Sequence, residues 1–233
     1  MLTIIQNDPE VPLGNYAEAL TAFGVPYRVL PAFSGAPLPA IADCSALMVL
    51  GGAMSVHETD KFPFLSGVKN LIRDALAQGT PYLGLCLGGQ LLADAAGAMV
   101  ACNRWEELGT LPVHLNRAGE SSPLFAGVPS PFPTFQWHHD SFDLPNGALL
   151  LASSPACPHQ AFSLGRTAFG LQFHPEMIPP VIADWCRWSP ETGAASARIL
   201  ADFFEAQEAY LAAGWQILRN FLRLAGMVPG NQA

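Results

Sequence analysis

The chain has 233 residues, 19 acidic against 11 basic side chains and a formal net charge of −8, and half of its residues are apolar. That balance excludes a phosphate-tracking nucleic-acid surface and a polybasic membrane patch, and it leaves ample apolar material for one large core. The five cysteines are odd in number and widely scattered, which fits neither a disulfide framework nor a zinc pattern. The opening stretch Met1-Leu2-Thr3-Ile4-Ile5-Gln6 lacks a basic start and breaks at Asn7-Asp8-Pro9. No apolar run approaches the length that spans a bilayer, so a cytoplasmic, reducing setting without leader or membrane partner is expected.

Residues 2–6 read as a strand, 16–23 as a short amphipathic helix stopped by Gly24 and Pro26, and 27–30 as a second strand. Residues 31–39 are rich in Pro, Ala and Gly and read as loop. Residues 46–50 are a third, fully apolar strand that ends in Gly51-Gly52-Ala53-Met54-Ser55-Val56. Consecutive glycines there either make an ordinary tight turn or let backbone N–H groups approach a ligand. His57, Glu58, Asp60 and Lys61 read as a solvated loop, and 65–78 as a helix ended by Gly79 and Pro81. Buried strands alternating with helices predict a parallel α/β sheet with right-handed crossovers.

The next stretch, Pro81-Tyr82-Leu83-Gly84-Leu85-Cys86-Leu87-Gly88-Gly89-Gln90, passes from an apolar strand through close-set glycines into a helix reaching about residue 96. Strand, tight turn and helix is the context of a nucleophile elbow. Glycines two before and two after Cys86 remove side chains that would clash at a strained turn. The helix N-terminus beyond it favours a negative sulfur. The bland alternative is a small buried cysteine in an apolar run. A second apolar strand, Phe169-Gly170-Leu171-Gln172-Phe173, ends in His174-Pro175-Glu176. A thiol nucleophile needs a base, and the base needs an acceptor on its other ring nitrogen; His174 and Glu176 supply both.

Residues 99–102 and 109–115 read as strands of an antiparallel extension, and 121–125 as a helical turn. Further strands are expected at 132–137, 149–153, 160–164 and 168–173, with Arg166 in a hairpin turn. Gln136-Trp137-His138-His139-Asp140 is the remaining polar cluster. Adjacent strand residues point to opposite faces, and no other Cys/His group completes a four-ligand set, so no metal site is expected. After a helix over 181–188, broken by residues 189–193, helical runs at 195–204 and 208–224 are expected to pack on the sheet or on a partner.

The elbow followed by His174-Pro175-Glu176 resembles the class I, triad-type glutamine amidotransferases, and most of all the amidotransferase domain of GMP synthetase and its stand-alone relatives. The looser likeness runs from Met1 to about Pro190. The resemblance implies a three-layer, open, mostly parallel, flavodoxin-like sheet flanked by helices, with an antiparallel extension and C-terminal helices. It implies a domain over residues 1–190 and a helical extension over 191–233 packed on the same domain. Cys86 would be the nucleophile, with His174 and Glu176 completing the triad, and the N–H groups of Gly52 and Leu87 would form the oxyanion hole. Gln90, His138 and Asp140 would line the glutamine cleft; Asp140 either meets the substrate's α-ammonium or closes a local polar loop. Glu106-Glu107-Leu108-Gly109 resembles the family's Glu-(Ile/Leu)-Gly turn, with a structural role. Ala53 stands where the family commonly has proline, which makes that loop less rigid.

The implied activity is hydrolysis of the glutamine side-chain amide through a γ-glutamyl thioester, with no cofactor. A separate ammonia-accepting synthase subunit would take the ammonia, since the chain has no room for a synthase and no Gly-x-x-x-x-Gly-Lys loop. Two other uses of the scaffold stay open: a stand-alone hydrolase of γ-glutamyl peptides or amides, and a non-catalytic regulatory subunit. An α/β-hydrolase with cysteine for serine fits worse, because there the acid precedes the histidine in the chain. No oligomeric state follows from these patterns.

Overall fold

A computed structural model describes residues 1–229. The elements in chain order are β1 (Leu2–Gln6), α1 (Tyr16–Ala22), β2 (Tyr27–Pro31), β3 (Ala46–Val49), α2 (Phe64–Gln78), β4 (Tyr82–Leu85), α3 (Leu87–Ala95), β5 (Val100–Ala101) and β6 (Glu107–Leu115). Then follow α4 (Arg117–Glu120), β7 (Phe132–His138), β8 (Ser141–Phe142), β9 (Leu149–Ser153), β10 (Ala161–Leu164), β11 (Ala168–Leu171), α5 (Pro179–Trp185) and α6 (Pro190–Leu224).

Among the described residues, nine strands form one mixed sheet in the order β2-β1-β3-β4-β11-β10-β9-β6-β7. The first five run parallel, and from β10 onward the neighbours are antiparallel. The division follows from the residues. β3, β4 and β11 are apolar along their whole length and buried at every position, as strands covered by helices on both faces must be. β6 alternates buried and exposed residues over its length, the pattern of a sheet with one wet face.

Three layers result. On one face α1 and the C-terminal part of α6 set Tyr16, Leu20, Ile217 and Phe221 against Ile4, Met48 and Leu83. On the other face α2 and α3 set Val68, Ile72 and Leu91 against Ile5, Leu47 and Val49. A smaller apolar cluster joins Phe135 of β7, Trp185 of α5 and Phe203 and Tyr210 of α6 beside the end of β11.

Two expectations are corrected. The strand over 99–102 does not pair with its neighbour: β5 pairs with β8 in a separate two-stranded ribbon, while β6 enters the main sheet between β9 and β7. The C-terminal segment is one helix of 35 residues, not two. Glu205, Ala206 and Gln207 at the expected gap are good helix formers, and nothing there breaks the ladder. The expected break falls at Ser189, extended at φ −141°, and residues 190–193 already belong to α6. The Ser189 side chain accepts from the Thr192 N–H as an N-cap, and Pro190 occupies the first turn. Residues 230–233 of the expected extension lie outside the described residues. No helix among those described is long and apolar enough to cross a membrane.

Candidate active site

The turn between β4 and α3 is held in a conformation that L-residues rarely adopt: Cys86 has φ 49° and ψ −109°. The Cys86 N–H donates to the Leu171 carbonyl at 2.8 Å, pinning the turn to the neighbouring strand. Glycines make the turn possible by absence of side chain. A Cβ on Gly84 would stand 2.3 Å from the Gly88 carbonyl oxygen, and one on Gly88 would stand 2.0 Å from that of Val49. Tyr82 locks the far side, its buried hydroxyl donating to the Gly88 carbonyl at 2.7 Å. The strain sets the Cys86 side chain at the N-terminus of α3, where a negative sulfur is favoured.

β11 lies beside β4 in parallel register, so the segment after it arrives next to the elbow. His174 is buried, its N–H donating to the Phe135 carbonyl at 2.8 Å. Its Nδ1 donates to Glu176 Oε1 at 2.7 Å, and the imidazole faces the same cavity as Cys86. The strand-end loop after β3 passes directly behind the pair: a Cβ on Gly51 would meet His174 Cε1 at 2.9 Å and Cys86 Cβ at 3.5 Å. Burial alone would lower the pKa of the ring. The negative charges of Glu176 and Cys86, with the hydrogen bond to Glu176, more than reverse this and push it up to about 10. The other carboxylate oxygen of Glu176 and the Tyr16 hydroxyl are both buried without a partner among the described residues. Burial, and then the Glu176 charge, raise the Tyr16 pKa.

Cys86 and His174 open into a cavity of about 410 Å³. Gly52 lines it, and Leu87 is the first residue of α3. Neither backbone N–H has a hydrogen-bond partner among the described residues. The Gly52 loop is tied down at the next residue, where the Ala53 N–H donates to Asp8 at 3.1 Å. Gln90 reaches the cavity from α3, but its amide nitrogen donates to the Asp140 carbonyl at 3.0 Å and to Gln172 Oε1 at 3.2 Å. Asp140 also lines the cavity, and its carboxylate accepts from the Asn103 N–H at 3.0 Å.

His138 lines the cavity as well. Both of its ring nitrogens are engaged: Nδ1 lies 3.2 Å from the Asp140 carbonyl and Nε2 lies 3.1 Å from Glu107 Oε2. Glu107 and His138 face each other across β6 and β7. Glu107 also accepts from Ser154 Oγ at 2.7 Å and from Gln160 Nε2. With Cys157 these residues form a buried polar cluster in which one oxygen of Glu107, one nitrogen of His138 and the Cys157 sulfur all lie within 4.8 Å of one another. It is the one cysteine-containing donor set of possible metal-ligating kind among the described residues, and its groups are already hydrogen-bonded to Ser141, Ser154, Gln160 and the Asp140 carbonyl.

Sequence reasoning missed the residues that hold the His174 loop. The Tyr210 hydroxyl donates to the His174 carbonyl at 2.9 Å and accepts from the Met177 N–H at 2.6 Å. Asn15 spans the same loop: its N–H donates to the Glu176 carbonyl at 2.8 Å, and its side chain donates to the carbonyls of Pro175 and Met177. Gln172 Nε2 reaches Cys86 Sγ at 3.7 Å. Asn15 and Tyr210 come from α-helical neighbourhoods far along the chain, and no local pattern marks them.

Comparison with known proteins agrees with this fold. The structure superposes on a glutamine amidotransferase from Methylobacillus flagellatus with a TM-score of 0.87 and 30% identity, covering 100% of this chain and 97% of that one. A glutamine amidotransferase from Thermotoga maritima gives 0.84 at 28% identity, covering 96% and 97%. In sequence the chain is 35% identical over 148 residues to the glutamine amidotransferase-like protein YfeJ of Salmonella typhimurium, 62% of either chain. It is 38% identical over 132 residues to the GMP synthase of Thermomicrobium roseum, spanning 56% of this chain but 23% of that protein. The family model for glutamine amidotransferase class-I matches residues 13–182, most of the chain, and the protein belongs to that family.

Proposed function

We propose that the protein is a cysteine hydrolase of γ-carboxamides, with glutamine as its parent substrate, acting through a γ-glutamyl thioester on Cys86. The reading is carried by one observation: a nucleophile-type residue at φ 49° shares a cavity with a histidine whose Nδ1 donates to Glu176 at 2.7 Å.

The Cys86 sulfur attacks the amide carbon, and a C–S bond forms. Charge that develops on the carbonyl oxygen is met by the free N–H groups of Gly52 and Leu87; one such donor is worth about 3 kcal/mol of barrier. His174, held protonated up to about pH 10, gives its proton to the leaving nitrogen as the C–N bond breaks, because an amide does not expel an unprotonated amine. Water then loses a proton to His174 and attacks the thioester. Glutamate leaves, and the thiolate and imidazolium are restored. Glu176 fixes the ring tautomer and stabilises the imidazolium throughout. Asp140 is positioned at the cavity wall for the α-ammonium, and Gln90 supports it through the Asp140 backbone.

The likeness to part of GMP synthase supports a separate acceptor for the released ammonia. The test is glutamate release from glutamine and from a γ-glutamyl dipeptide, with Cys86→Ala as the blank. Release that vanishes in the variant upholds the reading. Equal silence of both proteins, alone and with a co-purified synthase, overturns it.

A further inference from the structure

Three of the five tryptophans converge on the cavity. Trp185 and Trp188 stack at 5.0 Å between ring centroids, and Trp137 stands edge-on to both at 5.7 and 5.9 Å. Trp185 is fixed from behind, buried and donating its indole N–H to the Glu10 carbonyl at 2.7 Å. Its ring meets the His174 imidazole edge-on at 5.2 Å. Trp188 is 39% exposed at the outer end of this wall.

The cavity also has acidic lining. Glu58 and Asp140 line it, and no Lys or Arg is among its lining residues. Glu58 is itself held in place, accepting from the Ser55 N–H at 2.9 Å, which lowers its pKa. An α-ammonium group pairs with these carboxylates. The leaving nitrogen belongs beside His174, the acid that protonates it, and Trp185 packs against that ring. The amine therefore departs along the indoles. Ammonia has no surface to place against them, and glutamine is small for a cavity of about 410 Å³; clefts of roughly 300–1,000 Å³ hold ligands of drug size.

From this we infer that the tryptophan wall is an amine subsite, and that the preferred substrate is a γ-glutamyl amide whose amine carries a flat aromatic group. The inference rests on the amide-hydrolase reading above and narrows its substrate class. The covalent steps are unchanged, and an arylalkyl amine leaves in place of ammonia. An aromatic ring stacks or packs edge-on against indole faces at the spacing the three tryptophans already adopt among themselves. Desolvating that ring also covers the exposed part of Trp188.

The experiment compares kcat/KM for glutamate release from glutamine, γ-glutamyl methylamide, γ-glutamyl phenethylamide and the γ-glutamyl amide of putrescine. In the wild type the phenethylamide is expected to exceed the methylamide by on the order of tenfold to a hundredfold, the range an apolar pocket contributes to discrimination. Trp188→Ala, at the solvent rim, is expected to collapse that ratio through KM, and Trp188→Phe to restore most of it. Methylamide and phenethylamide cleaved equally well would overturn the subsite while leaving amide hydrolysis standing. Preference for the cationic putrescine amide would overturn the aromatic assignment in favour of cation–π binding. Cleavage of none of the four would overturn both readings.

Discussion

Two trios of cysteine, histidine and glutamate are brought together in this molecule, and only one sets its cysteine on the cavity. Cys86, His174 and Glu176 meet under an open cavity. Cys157, His138 and Glu107 meet inside the sheet, all buried. The residue types are the same; the backbone and the solvent are not. Cys86 is strained at φ 49° on the N-terminus of α3, with free N–H groups around it. Cys157 lies in the loop between β9 and β10, between Pro155-Ala156 and Pro158, with no helix start behind it. Its thiol is tied to Ser141 Oγ at 3.4 Å and to the His159 carbonyl at 3.6 Å. Burial, with the Glu107 charge adding to it, pushes the Cys157 pKa up and keeps it a thiol. Composition of a cluster does not make a site. Strain, dipole, a free base nitrogen and access do.

The comparison breaks most sharply at sulfur. Cys86→Ala is expected to lower glutamate release by on the order of 10⁴-fold or more, as loss of a triad nucleophile does. Cys157→Ala is expected to leave the rate within about twofold and to cost stability in the ordinary range of about 1–3 kcal/mol for a buried substitution. Initial rates and urea midpoints on both variants decide it. A Cys157→Ala enzyme as dead as Cys86→Ala, yet folded, would show that the second cluster takes part in the chemistry.

The glutamates separate next. Glu176→Gln puts a neutral amide in place of the charged acceptor on His174 Nδ1 and removes one of the two charges that hold its proton. A fall of about 10²–10⁴-fold in kcat is expected, the range seen when the third member of a triad loses its charge, with little change in KM. Glu107→Gln strips charge from a carboxylate that accepts from Ser154, Gln160 and His138. There the expected loss is in folding, about 2–4 kcal/mol for breaking a buried charged network, with kcat much less affected. Reversal of the two outcomes would undo the distinction between reacting and supporting trios.

The elbow itself supplies a third handle. In Gly84→Ala the new Cβ would press on the Gly88 carbonyl at 2.3 Å, backbone that cannot swing aside. Overpacking of this kind costs about 1–3 kcal/mol, and the expected activity loss is larger than the drop in melting temperature alone explains. A Gly84→Ala enzyme with wild-type rate and stability would mean that the turn tolerates side chains and that its glycines are incidental.

How far each trio was legible follows from where its members sit. Gly84, Cys86, Gly88 and Gly89 are contiguous, and His174 and Glu176 are two residues apart, so strand-end chemistry could be read without a fold. The β11–β4 register that brings them together is the ordinary consequence of a parallel sheet. Glu107, His138 and Cys157 come from three separate segments. Their meeting depends on the antiparallel register that sets Glu107 opposite His138, which depends in turn on β6 joining the main sheet rather than pairing with β5. His138 does line the cavity, as the resemblance implied, but its tie to Glu107 could not be read from segments so far apart. The tryptophan wall was hidden for the same reason: Trp137 belongs to β7, and Trp185 and Trp188 to the segment before α6. The expected gap inside α6 concealed one more thing, that Tyr210 lies on an unbroken helix reaching the His174 loop.

The finest discriminator is pH. His174 titrates near 6.5 when unfolded and is raised to about 10 in the fold. A cationic group whose pKa rises on folding contributes its full stabilisation below the unfolded value, and that contribution drains away as pH climbs to the folded value. The wild type is therefore expected to lose urea resistance steadily between about pH 6.5 and about pH 10. Other groups titrate in that window too, so the informative quantity is the difference between proteins. Glu176→Gln removes one source of the upward shift, and its decline should end at a lower pH than the wild type's. Glu107→Gln leaves the His174 pair untouched and should decline in parallel with the wild type, from a lower starting stability. Three parallel curves would mean that Glu176 does not hold the His174 proton, and the reacting trio would then owe its poise to the elbow and the helix end alone.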